Sequence, residues 1–194
     1  MNYTDRTRED KILLALQHVL AGDKDAFRVI VDTYKDSLYR YCLARTGNED
    51  RANDLVQETF IRVYRSLPTF KLGKQFGPWI FAIASNVLRT SWGRIKREQD
   101  IASQIFYPED PDQNNPEHDA MQAETRTELV RVLRNLPHDL YEVLFLYYFE
   151  GLPVSDIAET LSIGEENVKS RLFRGRKKVK ELLQPKGFKK GIIE

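Results

Sequence analysis

At 194 residues the chain has room for one hydrophobic core or two small ones, and its 30 Lys and Arg against 29 Asp and Glu leave a net charge of only +1. Spread evenly, that charge would argue against a nucleic-acid partner. The single cysteine, Cys42, excludes an internal disulfide and a thiol pair for a metal, which fits a reducing compartment with cytoplasm as the default; no apolar run approaches the roughly 20 residues that cross a bilayer, so no membrane insertion is expected.

The charge is not evenly spread. Glu98, Asp100, Glu109, Asp110, Asp112, Glu117, Asp119 and Glu124 follow one another without an intervening Lys or Arg, and bases gather on both sides. Ahead of this acidic stretch the apolar residues recur at three and four, the period of amphipathic helices. A first helix spans about Glu9 to Leu20 and ends at Ala21-Gly22, where glycine suits a C-cap; Asp23 can cap the next. That second helix buries Phe27, Ile30, Val31, Tyr34 and Leu38 and breaks at Gly47-Asn48. A third carries Ala52, Leu55, Val56, Phe60 and Val63 as its buried stripe and stops before Pro68. Two glycines and two prolines between Pro68 and Pro78 make a loop, and Pro78 opens a fourth helix with Ile80, Ile83, Ala84, Val87 and Leu88 on its apolar face.

From Glu98 to about Asp119 the prolines, asparagines and acids bury too little apolar surface to repay ordering, and the stretch reads as a flexible linker. Helical periodicity resumes near Met121, with Leu129, Val130, Leu133, Leu140, Val143, Leu144 and Tyr147, and continues almost to Gln184. The fold class is therefore all-α, two small helical domains on either side of an acidic linker.

The second unit contains a recognisable device. Ser155 to Leu172 reads as a short helix, a tight turn near Ser162 to Gly164, and a second helix from about Glu165: a helix-turn-helix. Ile157, Ala158, Leu161, Ile163, Val168 and Leu172 pack the two helices together, leaving Lys169, Ser170, Arg171, Phe173, Arg174, Lys177 and Lys178 outside. Arginine grips guanine bidentately, serine reaches base or phosphate, and an aromatic edge meets a thymine methyl, so Ser170, Arg171, Phe173 and Arg174 are candidate base readers. Arg176, Lys177, Lys178 and Lys180 suit phosphates. The plainer reading is a solvated basic helix with Phe173 packed on its neighbour.

In the first unit Asp54, Gln57, Glu58 and Ile61 share the side of the third helix opposite its apolar stripe. Carboxylates at i and i+4 repel, which a basic partner relieves; alternatively Glu58 simply pairs with Arg62. The following loop and helix interleave Phe70, Lys71, Lys74, Phe76, Trp79, Asn86, Arg89, Trp92, Arg94, Lys96 and Arg97. Aromatics among cations hold unpaired bases, with stacking contributing about 1 to 3 kcal/mol per base, although singly such rings more often belong to a core. These residues leave three readings open: a DNA-binding factor that rides on a larger machine, a helix-turn-helix regulator acting alone, and a helical adaptor whose basic helix is merely solvated.

Four segments carry a family resemblance. Ala52-Asn-Asp-Leu-Val-Gln-Glu-Thr-Phe-Ile-Arg-Val-Tyr64, Phe76-Gly-Pro-Trp-Ile-Phe-Ala-Ile-Ala-Ser-Asn86, the pair Leu136-Pro137 with Glu150-Gly-Leu152, and Val168-Lys-Ser-Arg-Leu-Phe-Arg-Gly-Arg176 together resemble a bacterial RNA polymerase sigma factor of the extracytoplasmic-function group. The resemblance runs from about Gly22 to Leu183. It implies a region 2-like domain at 1–97, the acidic linker at 98–122 and a region 4-like domain at 123–194. It also implies that Asp54, Gln57, Glu58 and Ile61 meet the clamp helices of core polymerase. Phe70, Lys71, Phe76, Trp79, Asn86 and Arg89 would capture bases of the minus-ten element as single strand, and Arg94, Lys96 and Arg97 would hold the duplex just upstream. Lys169, Ser170, Arg171, Phe173, Arg174, Arg176, Lys177 and Lys178 would read the minus-thirty-five duplex, with the domain seated on the polymerase beta flap. The linker would thread the active-site cleft and RNA exit channel. Family members are commonly held inactive by an anti-sigma factor, so one is an expected partner.

Departures from the family pattern fall at Thr90, Gly93, Pro153-Val154 and Glu166-Asn167, and Tyr141 stands where arginine is frequent. No enzyme site is expected: His18, His118 and His138 lack metal-ligand spacing, no phosphate-cradling motif is present, and no cofactor is implied.

Overall fold

Helix ends in this chain are set by residues that suit them. A computed structural model describes residues 3–99 and 132–183, with side-chain surroundings for 9–91 and 132–183. The first unit comprises α1 (Tyr3–Leu20), α2 (Phe27–Thr46), α3 (Glu49–Ser66), a 3-10 turn (Leu67–Thr69) and α4 (Phe76–Gln99). Asp23 caps the approach to α2 by accepting from the Asp25 and Ala26 amides, and Asn48 caps α3 by accepting from Arg51 at 2.9 Å. Gly47 closes α2 in the left-handed region at φ 59. That backbone conformation is what calls for glycine here; a Cβ would also meet the Arg134 guanidinium, the movable end of a long side chain.

Two boundaries differ from expectation. Helix α1 starts at Tyr3, ahead of the predicted Glu9, and α4 starts at Phe76, so that Pro78 is its third residue. Proline is tolerated there because none of the first four helical amides has an intrahelical partner. Helix α4 also runs to Gln99, past the predicted domain end at 97. The rest of the linker predicted at 98–122, and the start of the second unit up to 131, lie outside the described residues.

The second unit has helical residues at 132–135, then α5 (His138–Tyr148), α6 (Val154–Leu161) and α7 (Glu165–Leu183). Helices α6 and α7 form the expected helix-turn-helix. Its turn is made by Ser162 at φ 54 and ψ 45, with the Ile163 amide donating to the Ala158 carbonyl. Serine in the left-handed region is strained where glycine is not. Ser162→Gly is therefore expected to stabilise the chain by roughly 0.5 to 1 kcal/mol and raise its melting temperature by about 1 to 4 °C. A thermal melt showing no rise would contradict this account of the turn.

Every residue of α5 from Leu140 to Leu146 is buried, the pattern of a helix covered on all sides. Helices α6 and α7 cover it from one direction. From the other, Phe145 meets Tyr41 with ring centroids 4.9 Å apart and Phe81 at 6.4 Å, while Tyr141 stacks on Tyr41 at 5.5 Å. Helix α6 in turn packs on α4. The two helical units thus share one continuous core in this structure. Polar groups cross that interface too: Arg45 donates to the carbonyls of Arg134 and Leu136 at 2.9 and 2.7 Å, capping the helical end at 132–135. Burial lowers the Arg45 pKa to about 10, so it remains a cation at neutral pH.

Candidate nucleic-acid interface

The recognition helix α7 is held against α5 by Val168, Leu172, Gly175 and Val179, one apolar stripe at helical spacing. Gly175 sits where a Cβ would lie 2.9 Å from a Leu144 methyl, which sets how closely the helices approach. Opposite the stripe, Ser170, Arg174, Arg176, Lys177 and Lys178 are exposed, and Phe173 is 65% exposed, the most open large apolar side chain among the described residues. Such a side chain on a basic helix face is a contact without a partner in the free chain.

Two expected readers are engaged within the protein. Arg171 lies at the margin of the packing stripe, three positions after Val168; its side chain is only a quarter exposed and its Nε is 3.8 Å from the Asp139 carboxylate on α5. Lys169 donates to Glu166 at 2.7 Å, and that bond, with the nearby Glu166 and Glu165 charges, raises its pKa. Glu165 and Glu166 occupy the first turn of α7, where the helix dipole favours acids. Their charge also meets a lysine that would otherwise be free for a phosphate.

In the first unit the predicted aromatic readers divide. Phe70 and Phe76 are 8% and 4% exposed and pack with Trp79 in one cluster, with centroids 5.0 to 5.3 Å apart. Phe76 also meets Tyr34 of α2. Neither phenylalanine presents a face to solvent, because α4 begins at Phe76 and turns the ring into the core. Trp79 is half-buried. Lys71, Asn86 and Arg89 are exposed, and Arg89 donates to the Asn86 side-chain oxygen, one turn earlier on the same face of α4. Arg94, Lys96 and Arg97 continue along α4, but their side chains lie outside the described surroundings.

On α3, Asp54, Gln57 and Ile61 are exposed, and half-buried Glu58 accepts from Arg62 at 2.7 Å. Beside this face is a groove of about 530 Å³ between α2 and α3, floored by Phe27, Val31, Val56 and Phe60 and edged by Gln57, Ile61 and Tyr64. The groove was not anticipated. Gln57, Ile61 and Tyr64 follow at i, i+4 and i+7, a second stripe that the stronger core stripe hides. Among the described residues no group of His, Cys, Asp and Glu gathers as a metal site. Cys42 is a core residue whose burial pushes its thiol up to about 12, which leaves almost no thiolate at neutral pH. No helix among the described residues is long and apolar enough to cross a membrane.

Residues 30–98 match the sigma-70 region 2 family and residues 126–179 the sigma-70 region 4 family. The ECF RNA polymerase sigma factor SigW of Bacillus subtilis is 30% identical over 177 residues, 87% of this chain and 95% of that protein. The chain belongs to the extracytoplasmic-function sigma factors. The ECF RNA polymerase sigma-E factor of Haemophilus influenzae is 32% identical over 178 residues, 88% of this chain and 94% of that protein. Among solved structures, CnrH in complex with the cytosolic domain of CnrY has a TM-score of 0.67 at 24% identity, covering 92% of this chain and 99% of that one. RpoE of Bartonella quintana, in complex with the anti-sigma factor NepR, has a TM-score of 0.63 at 21% identity, covering 82% and 98%. At these identities the two structures support the fold. This sigma factor directs RNA polymerase to promoters; its region 2 match takes in α2 from Ile30 through α4, and its region 4 match ends at Val179 on the recognition helix.

Proposed function

We propose that the sigma factor divides its work among three surfaces. The outer face of α3, with Asp54, Gln57, Glu58 and Ile61, holds the clamp helices of core polymerase. Lys71, Asn86 and Arg89, with the open edge of Trp79, receive minus-ten bases as the duplex parts; Phe70 and Phe76 brace that loop from below instead of stacking on bases. Arg94, Lys96 and Arg97 follow the duplex upstream. Helix α7 reads the minus-thirty-five duplex with Ser170, Phe173 and Arg174, while Arg176, Lys177 and Lys178 meet phosphates. Lys169 and Arg171, each paired with an acid, flank that face. The observation that carries the reading is the exposed Phe173 among exposed cations on the second helix of a helix-turn-helix.

The chain is not itself a catalyst: it binds, positions and traps, and phosphodiester synthesis stays with the polymerase. It acts in the cytoplasm, where the polymerase is. By likeness to RpoE, solved with the anti-sigma factor NepR, an anti-sigma factor is its expected regulator.

Transcription in vitro with core enzyme and mapping of start sites tests the reading as a whole. Lys71→Ala and Asn86→Ala are expected to slow promoter opening several-fold while core binding stays intact; equal loss of both would refute the assignment. Arg174→Ala is expected to weaken binding to the upstream duplex by about 10- to 100-fold, the worth of one bidentate base contact. An unchanged footprint over that element would remove Arg174 from the readers.

A further inference from the structure

The open face of α7 begins with an acid. Val168, Leu172, Gly175 and Val179 are buried, and the side opposite them is centred on Glu166, Ser170, Phe173 and Lys177, which follow at i, i+4, i+7 and i+11. All four are exposed. Glu166 is thus the first member of the row that carries the proposed readers. It lies in the first turn of the helix, and the N-terminal residues of a recognition helix are the ones that reach base edges. A carboxylate there meets phosphates of its own sign. Lys169 answers that repulsion: one turn on, at the flank of the same face, it donates to Glu166 Oε1 at 2.7 Å, with both side chains open to solvent. The two present one unit without net charge, a hydrogen-bond donor beside an acceptor. Position 166 is also a departure from the family pattern, so the pair belongs to this chain.

We infer that the Glu166–Lys169 pair is a specificity element that selects one cytosine–guanine base pair in the upstream duplex, Glu166 accepting from the cytosine amine and Lys169 donating to the guanine. The inference rests on the assignment of α7 to that duplex. In the major groove cytosine offers its N4 amine, and guanine its O6 and N7 acceptors. N4 and O6 are hydrogen-bonded to each other, about 2.9 Å apart. The base pair therefore sets an acceptor beside a donor at the spacing at which the protein sets a donor beside an acceptor. Of the three ammonium hydrogens, one stays on Glu166 and two remain for O6 and N7. The reversed base pair turns the carboxylate toward two acceptors and the ammonium toward an amine. Adenine–thymine matches the carboxylate at N6 but gives the ammonium a single acceptor, O4, next to a methyl group.

The test is a selection, by core polymerase carrying the full chain, from duplexes in which the upstream element is randomised. Titration of the preferred duplex and its single-pair variants at two salt concentrations follows. The parent is expected to prefer cytosine about tenfold over any other base at one position. Glu166→Ala is expected to lose that preference at that position alone and to bind duplexes lacking the cytosine more tightly. It also steepens the logarithmic dependence on salt by about one unit, because Lys169 is freed for a phosphate. Glu166→Gln, whose amide both donates and accepts, moves the preference at the same position to adenine. If Glu166 serves only to stabilise the helix, Glu166→Ala weakens all duplexes alike, and that result overturns the inference, as does a profile that neither variant changes. Arg174→Ala, run beside them, separates the two levels. A profile altered by Arg174→Ala and untouched by Glu166→Gln removes the pair and leaves α7 as the reader, whereas a profile that Arg174→Ala also leaves unchanged overturns the assignment of α7 itself.

Discussion

Gly175→Leu is expected to destabilise the sigma factor by about 2 kcal/mol and to abolish recognition of the upstream element. At Gly175 even a Cβ would approach Leu144 to 2.9 and 3.0 Å, and Leu144 is buried in α5. Three further carbons must displace it or push α7 outward. Overpacking of that kind costs about 1 to 3 kcal/mol or more, and the gain from replacing a helical glycine, near 1 kcal/mol, offsets part of it. For a chain of this size, about 2 kcal/mol lowers the melting temperature by about 4 to 8 °C. The recognition helix is positioned by this stripe and by α6, so its shift changes where Phe173 and Arg174 fall along the groove. A melt combined with a duplex-binding titration checks both halves. A variant that keeps its melting temperature would show that α5 and α7 do not approach as closely as described.

In the first unit, helix count and order were legible because each helix carries an apolar stripe between identifiable ends. Gly47-Asn48, Pro68 and the Ser162 to Gly164 turn all mark boundaries that the structure keeps. What periodicity could not show was the environment of α5. A helix buried on all sides loses its amphipathic contrast, and Tyr141, Glu142 and Phe145 look like ordinary surface or core residues until their partners on α2 and α4 are known. Tyr41 and Tyr141 are a hundred positions apart in sequence. No local pattern pairs them, and the departure from arginine at 141 was the only hint.

The surfaces proposed for nucleic acid divide along the same physical line. Exposed cations and Phe173 were correctly placed outside α7, since a stripe of Val168, Leu172 and Val179 fixes which side is out. Arg171 was harder, because it stands on the edge between the stripe and the open face, and an acid on another helix decided which way it turned. Phe70 and Phe76 were harder again. An aromatic on a glycine-bearing loop reads as an available ring, whereas here the ring cluster with Tyr34 and Trp79 is what gives the loop its shape. Composition marks the segment and cannot separate the residues that build its shape from those that face out.

Core binding gives the other large expected effect. Ile61 is 39% exposed at the edge of the α2–α3 groove, with Phe27, Val31 and Tyr64 beside it and Gln57, Lys35 and Arg65 around the rim. An apolar centre within a polar margin is the anatomy of a protein interface, and a few central residues usually carry most of its energy. Asp54 is exposed and half-buried Glu58 is already paired with Arg62, so on the proposed contact these carboxylates are expected to steer the encounter more than hold it. Ile61→Asp is therefore expected to weaken binding to core polymerase about 30-fold or more, whereas Glu58→Ala costs only a few-fold and makes the remainder less sensitive to salt. Because Ile61 lies outside the core, the melting temperature should hold. Titration of labelled sigma factor with core enzyme at two salt concentrations separates the two contributions. A change under about threefold for Ile61→Asp would move the energetic centre of the contact off this groove and back to the charged face of α3.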